Sequence, residues 1–370
     1  MASGLFILLF DEKSLSRCLK YGIYGFFMPP VFESQPTSQS RHYAILADYA
    51  CCHDETHIFF FHKRKVTYGG IIKSDTHNSA FYLNGPTSPL GRKANAPLFW
   101  DESGIYPSTD KEGVFIIDEK EKSMPFILKF ETDDNISGKQ ISVDSLYFEL
   151  GEYGYPLPSN AIQNLGCCTL TPRETEILLK LLEESDDFFS PHMIEDMKIG
   201  EKQTAFTKEL LDLENYINES ELEFSLIADF NLIKSFLDGD SYVVCRQVPI
   251  CPIKPMNYDR ADIVLYNLDK PIKNNTIPNI VIELKKDKVS FSGYKQVVRY
   301  FKWLKKITPP EDFVNIRGIL IAPSFSKRLT YENLVKKNIN TEYITQIELY
   351  SLENKDFHNI NIDKNQSTLF

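Results

Sequence analysis

The C-terminal part of the sequence is organised around three segments, RADIV at 260–264, IVIELK at 280–285 and QVVRY at 296–300. The first two are short runs of β-branched and aliphatic residues, which is the pattern of buried strands. The third belongs to a stretch with apolar residues at every third or fourth position, which predicts a helix. Two strands and a following helix would bring the polar residues of all three segments to one place.

The flanking sequence predicts a complete α/β domain around these segments. Its expected elements are a helix at 219–237, strands at 242–245, 261–266 and 280–284, a helix at 293–305, a strand at 317–322, a helix at 331–337 and a strand at 342–350. This order assigns 206–352 to one domain and 353–370 to a polar tail.

The central segments carry residues suited to metal-assisted phosphodiester chemistry. Asp262 and Glu283 supply carboxylate oxygens, the ligands that a hard divalent cation prefers. Lys285 follows Glu283 by two residues, so strand alternation points both side chains to the same face. A cation ligand and an ammonium group beside an attacking water are therefore available from one strand.

An aspartate followed after 20 residues by Glu-Leu-Lys resembles the PD-(D/E)XK nuclease superfamily, although the proline of that motif is absent here. The segment QVVRY also resembles the QxxxY element of RecB-like members. This resemblance implies a restriction-endonuclease-like αβββαβ core in which Asp262 and Glu283 bind Mg²⁺ or Mn²⁺. It further implies that Lys285 positions or activates the attacking water. Gln296 would help to position that lysine or water, and Tyr300 would support it or contact the substrate.

Members of the superfamily often add a glutamate from the helix before the first core strand. Glu221 and Glu223 are the two candidates in this sequence. Glu223 is favoured as a further metal ligand because it precedes the apolar residues of one helix face. The alternative is that Ser220 and Glu223 form a capping box at the start of the helix.

The leading helix also resembles that of the Shedu anti-phage defence nucleases, through the segment ELEF at 221–224 and Asn231. This resemblance covers about residues 205–350. It implies a prokaryotic, cytoplasmic, metal-dependent DNA endonuclease, oligomeric as a dimer or tetramer, whose N-terminal domain senses or restrains activity. Two alternatives remain: a reader of modified nucleic acid with an inactive nuclease-like domain, and a transposition or repair nuclease within a complex.

Charge is distributed unevenly along the chain. The net charge is −10, but residues 241–370 contain 20 Lys and Arg against 13 Asp and Glu, whereas 166–240 contain 6 against 18. A DNA partner would therefore bind the basic last third. The candidate DNA-binding residues are Lys286, Lys288, Lys295 and Arg299. The alternative is an ordinary solvated helix face.

Residues 1–165 predict a β-rich recognition or regulatory domain, because short aromatic and β-branched runs alternate with turn residues. Residues 166–205 are expected to form a helical linker. The segment 58–72 resembles the barrel edge of PUA-like modules, including the EVE group, which bind RNA or modified DNA bases. Lys63, Arg64 and Lys65 would then contact phosphate.

The same resemblance makes Phe81, Tyr82, Phe99 and Trp100 candidates for an aromatic base pocket. The alternative, that these aromatics belong to the core, is the more usual role of such residues.

The sequence favours a cytoplasmic location without membrane attachment. The opening apolar run, 5–10, lacks a preceding basic region and a cleavage pattern, so a buried strand is expected there and not a signal peptide. No stretch approaches the length of a membrane span. The seven cysteines show no framework spacing, which suits a reducing compartment.

Overall fold

The computed structural model describes residues 2–25, 36–73, 81–83, 114–117, 120–123, 126–150, 166–194, 204–205, 216, 218–239, 241–251, 259–353 and 356–362. It divides into two compact units, Met1–Leu170 with Glu174–Leu211, and Thr171–Arg173 with Asp212–Phe370. Both units are mixed α/β structures, each with its own large sheet. The described residues include no helix long and apolar enough to cross a membrane.

The first unit alternates short strands with four helices among its described residues. Its elements are β1 (Gly4–Leu8), α1 (Glu12–Tyr21), β2 (Ile23–Gly25), α2 (Pro36–Cys51), β3 (His57–His62), β4 (Lys65–Ile72), β5 (Phe81–Leu83), β6 (Val114–Ile117), β7 (Lys120–Ser123), β8 (Phe126–Glu131), β9 (Gln140–Ser142), α3 (Val143–Leu150), β10 (Cys167–Leu170), α4 (Pro172–Glu183) and β11 (Thr204–Ala205).

The main sheet of this unit has the strand order β10-β1-β3-β4-β8-β5-β11, with β2 added to β8 and β9 added to β4. Strands β1 and β3 are parallel, and α1, β2 and α2 connect them. The end strands β10 and β11 do not pair with each other within the described part of the chain. The PUA-like barrel expected for 1–165 is therefore not confirmed.

The segment 166–205, expected as a helical linker, contains a strand of the first sheet. Strand β10 pairs with β1 in antiparallel register from Gly4–Leu170 to Ile7–Cys167. Its four residues, CCTL, are all buried. A short apolar segment gains more from burial in a sheet than from a place in a solvated linker, so the first unit extends through it.

The second unit contains the elements α5 (Glu219–Ala228), α6 (Phe230–Lys234), β12 (Tyr242–Pro249), β13 (Arg260–Asn267), β14 (Ile280–Leu284), α7 (Phe291–Ile307), α8 (Pro310–Phe313), β15 (Arg317–Ala322), α9 (Tyr331–Lys336), β16 (Ile347–Glu353) and β17 (Asp356–Asn359). The α-β-β-β-α-β-α-β order expected from the sequence is present. The short helices α6 and α8 and strand β17 are additions, and β17 occupies part of the expected polar tail.

The sheet of the second unit has the order β12-β13-β14-β15-β16-β17. Strand β13 is antiparallel to both of its neighbours, β12 and β14, whereas β14, β15 and β16 are parallel to one another. Parallel strands require a crossover, and α7 provides it between β14 and β15. The run IVIEL of β14 is fully buried, as expected of a central strand.

Helix α7 packs closely against the sheet at one glycine. A Cβ atom placed on Gly318 of β15 would lie 2.5 Å from Cε2 of Phe301 and 3.1 Å from Cγ1 of Val297. Both of these helix residues are fully buried. The absence of a side chain at Gly318 therefore allows α7 to lie close to the strand.

Candidate active site

Asp262 lies where the β13–β14 ladder ends. The paired register runs from Leu265–Ile280 to Ile263–Ile282. Beyond it, the main-chain N–H of Leu284 donates to Oδ2 of Asp262 at 2.7 Å. The aspartate side chain therefore takes the place of a main-chain acceptor at this point, which fixes one of its oxygens.

Glu283 and Lys285 lie at the carboxyl end of β14. Glu283 is 1% exposed, and the Nζ of Lys285 donates to its Oε1 at 2.6 Å. The Nζ of Lys285 is also 3.9 Å from Oε1 of Glu219. The main-chain N–H of Lys285 donates to the carbonyl of Ile321 in β15. The expectation that Glu283 and Lys285 share one face of the strand agrees with their contact.

Helix α7 brings Gln296 and Tyr300 to the same carboxylate. The Nε2 of Gln296 donates to the hydroxyl of Tyr300 at 2.8 Å. That hydroxyl lies 2.8 Å from Oε2 of Glu283 and 2.7 Å from the carbonyl oxygen of Arg260. The two helix residues are one turn apart and therefore share a face. Each oxygen of Glu283 thus has one hydrogen-bonding partner.

Of the two glutamates on the leading helix, Glu223 contacts the residues beside Asp262. Arg246 of β12 binds it in a bidentate ion pair, with Nε 3.0 Å from Oε1 and Nη2 2.7 Å from Oε2. The capping box considered for Ser220 and Glu223 is not the cap of this helix. Asn218 is the N-cap, and its side chain accepts from the main-chain N–H of Glu221.

Arg246 and Gln247 are site residues that the sequence analysis missed. The Nε2 of Gln247 is 3.1 Å from Oδ1 of Asp262 and 3.3 Å from Oε1 of Glu223. The sequence does contain an indication of such a site, because Arg246 interrupts the apolar run of β12. A buried cation at this position requires an acidic partner. The identity of that partner could not be inferred, because Glu223 lies 23 positions away.

In the absence of a cation, the surroundings of Asp262 and Glu283 raise the pKa of both carboxyl groups. Burial raises the pKa of Asp262 well above its usual value, and the neighbouring charges of Glu283 and Glu223 add to this effect. Burial also raises the pKa of Glu283, although the hydrogen bonds from Lys285 and Tyr300 oppose it. Carboxylates crowded in this way gain stability when a cation joins them.

The pKa values of Lys285 and Tyr300 are also raised. Burial would lower the pKa of Lys285, but the charges of Glu283 and Asp262 outweigh it and raise that pKa. Lys285 is therefore a cation in this arrangement. Burial, together with the same two carboxylates, raises the pKa of the Tyr300 phenol, which therefore stays protonated.

Asp262 and Glu283 are suited to a hard cation such as Mg²⁺ or Mn²⁺, because both offer carboxylate oxygens beside an excess of negative charge. Each of their oxygens accepts one hydrogen bond from a described group and keeps a further acceptor position. Within the described part of the chain, no group of three or more His, Cys, Asp and Glu side chains is arranged as metal ligands. A cation held here would complete its coordination with other oxygens.

The candidate DNA-binding residues of the second unit are exposed. Lys286, Lys288 and Lys295 lie at the surface, after β14 and on α7. Arg299 is half-exposed and donates twice to Oδ1 of Asp259, at 2.9 and 2.7 Å.

The candidate phosphate-binding residues of the first unit, Lys63, Arg64 and Lys65, lie in and beside the tight turn between β3 and β4. Lys63 and Arg64 have positive φ angles of 45° and 62°, as a two-residue hairpin turn requires. Each cation of the segment pairs with an acidic side chain of the same unit. The pairs are Lys63 with Glu12, Arg64 with Asp144 and Lys65 with Asp187.

Two of the candidate base-pocket aromatics lie in the core of the first unit. Phe81 is 1% exposed and packs against Tyr49, with ring centroids 6.1 Å apart. Tyr82 is 3% exposed, and the Nζ of Lys129 lies 4.2 Å from its ring centroid. Phe99 and Trp100 fall outside the described residues.

Comparisons with known proteins give little support for any family. No protein-family model matches the chain, and no curated protein matches it. A solved structure described as a repair endonuclease from Pyrococcus abyssi is 23% identical, with a TM-score of 0.24. The match covers 41% of this chain and 52% of that one. A TM-score of this size does not establish a shared fold.

Proposed function

We propose that the second unit is a metal-dependent nuclease that hydrolyses phosphodiester bonds of DNA. The observation that carries this proposal is the convergence of Asp262, Glu283, Lys285, Gln296 and Tyr300, which come from two strands and one helix. Asp262 and Glu283 would hold Mg²⁺ or Mn²⁺. When bound, such a cation supplies charge stabilisation at the phosphate and lowers the pKa of a bound water.

The residues around the carboxylates have separate tasks in this proposal. Lys285 is held as a cation by the carboxylates, so it can orient the attacking water and stabilise charge that develops on the phosphate. Tyr300 and Gln296 fix the orientation of Glu283 through a chain of hydrogen bonds. Orientation of this kind is what second-layer residues contribute in metal enzymes.

The exposed lysines after β14 and on α7 provide the expected DNA contact, and they support the choice of a polyanionic substrate. Between positions 283 and 306 the sequence contains eight Lys and Arg against one Glu and one Asp. Phosphate contacts from such residues give affinity without base specificity.

The narrower biological proposal is an endonuclease of prokaryotic anti-phage defence, cytoplasmic and homo-oligomeric. It rests on the resemblance of the segment 205–350 to Shedu nucleases and of the central motif to the PD-(D/E)XK superfamily with its QxxxY element. The first unit would then recognise the trigger or restrain cleavage.

Cleavage assays test the proposed activity directly. The purified protein is incubated with supercoiled plasmid, linear duplex, single-stranded DNA and RNA, each in Mg²⁺, Mn²⁺ or EDTA. We expect DNA cleavage with either cation and none in EDTA. Cleavage that persists in EDTA would contradict metal dependence, and absence of cleavage in every condition would contradict the nuclease proposal.

Lys285→Ala tests the mechanism within that activity. Loss of the ammonium group should reduce cleavage by about 10²-fold or more, the range for a group that activates water. The variant should still fold, but with a lower melting temperature, because the buried Glu283 loses one of its hydrogen-bond donors. Lys336→Ala is the matched control, since Lys336 is an exposed lysine of the same unit that pairs with Glu332 on α9. Equal cleavage by both variants would exclude a role for Lys285.

A further inference from the structure

Gln247 lies between two carboxylates of the candidate site. Its Nε2 is 3.1 Å from Oδ1 of Asp262, and 3.3 and 3.4 Å from Oε1 and Oε2 of Glu223. A side-chain amide has two N–H groups, so it can donate to both carboxylates at once. Oδ2 of Asp262 accepts from the N–H of Leu284. The amide of Gln247 is therefore the second of two donors that orient the Asp262 carboxylate.

The backbone of Gln247 is in the left-handed region, with φ of 53°. This conformation is uncommon for residues other than glycine, asparagine and aspartate. The ladder between β12 and β13 is intact on both sides, where Arg246 pairs with Ile263 and Val248 pairs with Ala261. The strain is thus confined to the residue whose side chain reaches Asp262. Local strain of this kind is often found at functional sites.

Glu223 serves as the anchor of this arrangement. Both of its oxygens accept from Arg246 and from Gln247, which gives four contacts. Arg246 fills one acceptor position on each oxygen, and the remaining N–H of Gln247 is shared between the two, so Glu223 offers a cation fewer free positions than Asp262 or Glu283 does. Arg246 and Glu223 are 2% and 3% exposed, and breaking a buried pair of this kind is costly. Asp262 and Glu283, in contrast, keep free acceptor positions.

We propose that Gln247 is a positioning residue whose amide, anchored on the Glu223–Arg246 pair, fixes the Asp262 carboxylate for cation binding. The proposal rests on the proposed metal-dependent function. It assigns Glu223 the role of an anchor and not that of the metal ligand expected from the sequence. The left-handed backbone then has a purpose, because it turns the Gln247 side chain toward Asp262.

Two substitutions separate positioning from simple structural support. Gln247→Met keeps the length of the side chain but removes the donor, and Gln247→Gly removes the side chain and relieves the left-handed strain. Three quantities are measured: Mn²⁺ affinity by calorimetry, the melting temperature in EDTA, and kcat and KM for plasmid cleavage.

Both variants should bind Mn²⁺ about 10-fold more weakly or worse, the usual effect of losing a residue that orients a metal ligand. Cleavage should fall in kcat, with KM for DNA little changed. Gln247→Gly should melt at or above the wild-type temperature. Stability and metal affinity would then change in opposite directions, which a merely structural role does not produce.

Asn338→Gly is the matched control. Asn338 follows α9, outside the site, and also has a left-handed backbone, with φ of 51°. Its replacement should leave Mn²⁺ affinity and cleavage at wild-type values. This variant therefore shows how a glycine at a left-handed position changes stability when no site residue is altered.

The outcomes distinguish this proposal from the one on which it rests. If the wild type binds Mn²⁺ and cleaves DNA but both Gln247 variants keep wild-type affinity and kcat, the positioning role is overturned and the nuclease stands. If the wild type neither binds Mn²⁺ nor cleaves, both proposals fail.

Discussion

Two buried tyrosines of α7 differ in one respect that bears on the site. The hydroxyl of Tyr300 bonds with Glu283, Gln296 and the carbonyl of Arg260. The hydroxyl of Tyr294, equally buried, has no hydrogen-bonding partner among the described residues. A comparison of the two residues therefore contrasts a buried phenol that is held by hydrogen bonds with one that has no such partner among the described residues.

Tyr300→Phe should lower the free energy of unfolding by about 1–3 kcal/mol, because buried acceptors lose their donor. Cleavage should fall by about 10-fold or more, since Glu283 loses its orientation. Tyr294→Phe should be neutral or stabilising, because it removes an unpaired polar group. Chemical denaturation and plasmid cleavage measure both effects. Equal losses in the two variants would show that the Tyr300 contacts have no special role.

The raised pKa values of Asp262 and Glu283 predict the pH dependence of stability in the metal-free protein. A carboxyl whose pKa is higher in the folded state contributes stability that is complete below its unfolded pKa. That contribution is lost as pH rises through the folded value. In EDTA the melting temperature should therefore carry a component that falls as pH rises above about 4.

The double variant Asp262→Asn/Glu283→Gln isolates this component, because neither replacement titrates. Thermal denaturation of the two proteins in EDTA should give melting temperatures whose difference shifts in favour of the variant as pH rises. Parallel curves across the carboxyl range would contradict the assigned shifts.

At the residue scale, the sequence indicated which polar groups would meet but not how they are held. Asp262, Glu283, Lys285, Gln296 and Tyr300 were grouped from spacing and resemblance, and the structure brings them together. The ion pair of Glu223 could not be inferred, because it depends on the pairing of a helix with a strand. The left-handed conformation of Gln247 has no signature in its residue type.

At the scale of elements, the close approach of α7 to β15 depends on Gly318. A Cβ there would lie 2.5 Å from a ring atom of Phe301, which requires the ring to move. Gly318→Ala should therefore lower the free energy of unfolding by about 1–3 kcal/mol, as overpacked cores do. Displacement of α7 should also reduce cleavage, since this helix carries Tyr300.

A double-mutant cycle that combines Gly318→Ala with Phe301→Leu tests whether the collision of the new methyl group with the ring causes the loss of stability. The smaller side chain makes room for the new methyl group, so the double variant should lose less stability than the two single losses added together. Urea denaturation of the four proteins provides the comparison. Strict additivity would show that the methyl group and the ring do not collide.

Helices and strands of the second unit were more predictable than those of the first. Period-two and helical patterns in 219–350 are regular, because each element has one buried face or is wholly buried. The strand β10 was missed because CCTL is only four residues long and is followed almost directly by a helix, α4. Strand pairing over more than 160 positions, as between Gly4 and Leu170, leaves no local pattern.

At the scale of the whole molecule, the protein is negatively charged overall but has a basic region on the second unit, which suits binding to a polyanion. The chain carries −10 overall, yet Lys286, Lys288 and Lys295 are exposed on one part of the second unit. Binding to duplex DNA should weaken steeply as salt increases, because each phosphate contact releases counterions.

Replacing Lys286, Lys288 and Lys295 one at a time by alanine should reduce the slope of log affinity against log salt by about one for each true phosphate contact. Fluorescence anisotropy with a labelled duplex in EDTA measures binding without cleavage. Lys336→Ala should leave the slope unchanged. Slopes equal to that of the wild type for all three variants would remove these lysines from the interface.

The hydroxyl of Tyr300 has a single proton but two acceptors within 2.8 Å, the carbonyl of Arg260 and Oε2 of Glu283. While Glu283 is protonated, it can donate to the phenol oxygen, and the phenol can donate to Arg260. Once Glu283 ionises, it competes for the phenolic proton, and the Arg260 carbonyl loses its donor for part of the time. Ionisation of Glu283 therefore changes the hydrogen bonding of Arg260, which is the first residue of β13 and lies two positions before Asp262.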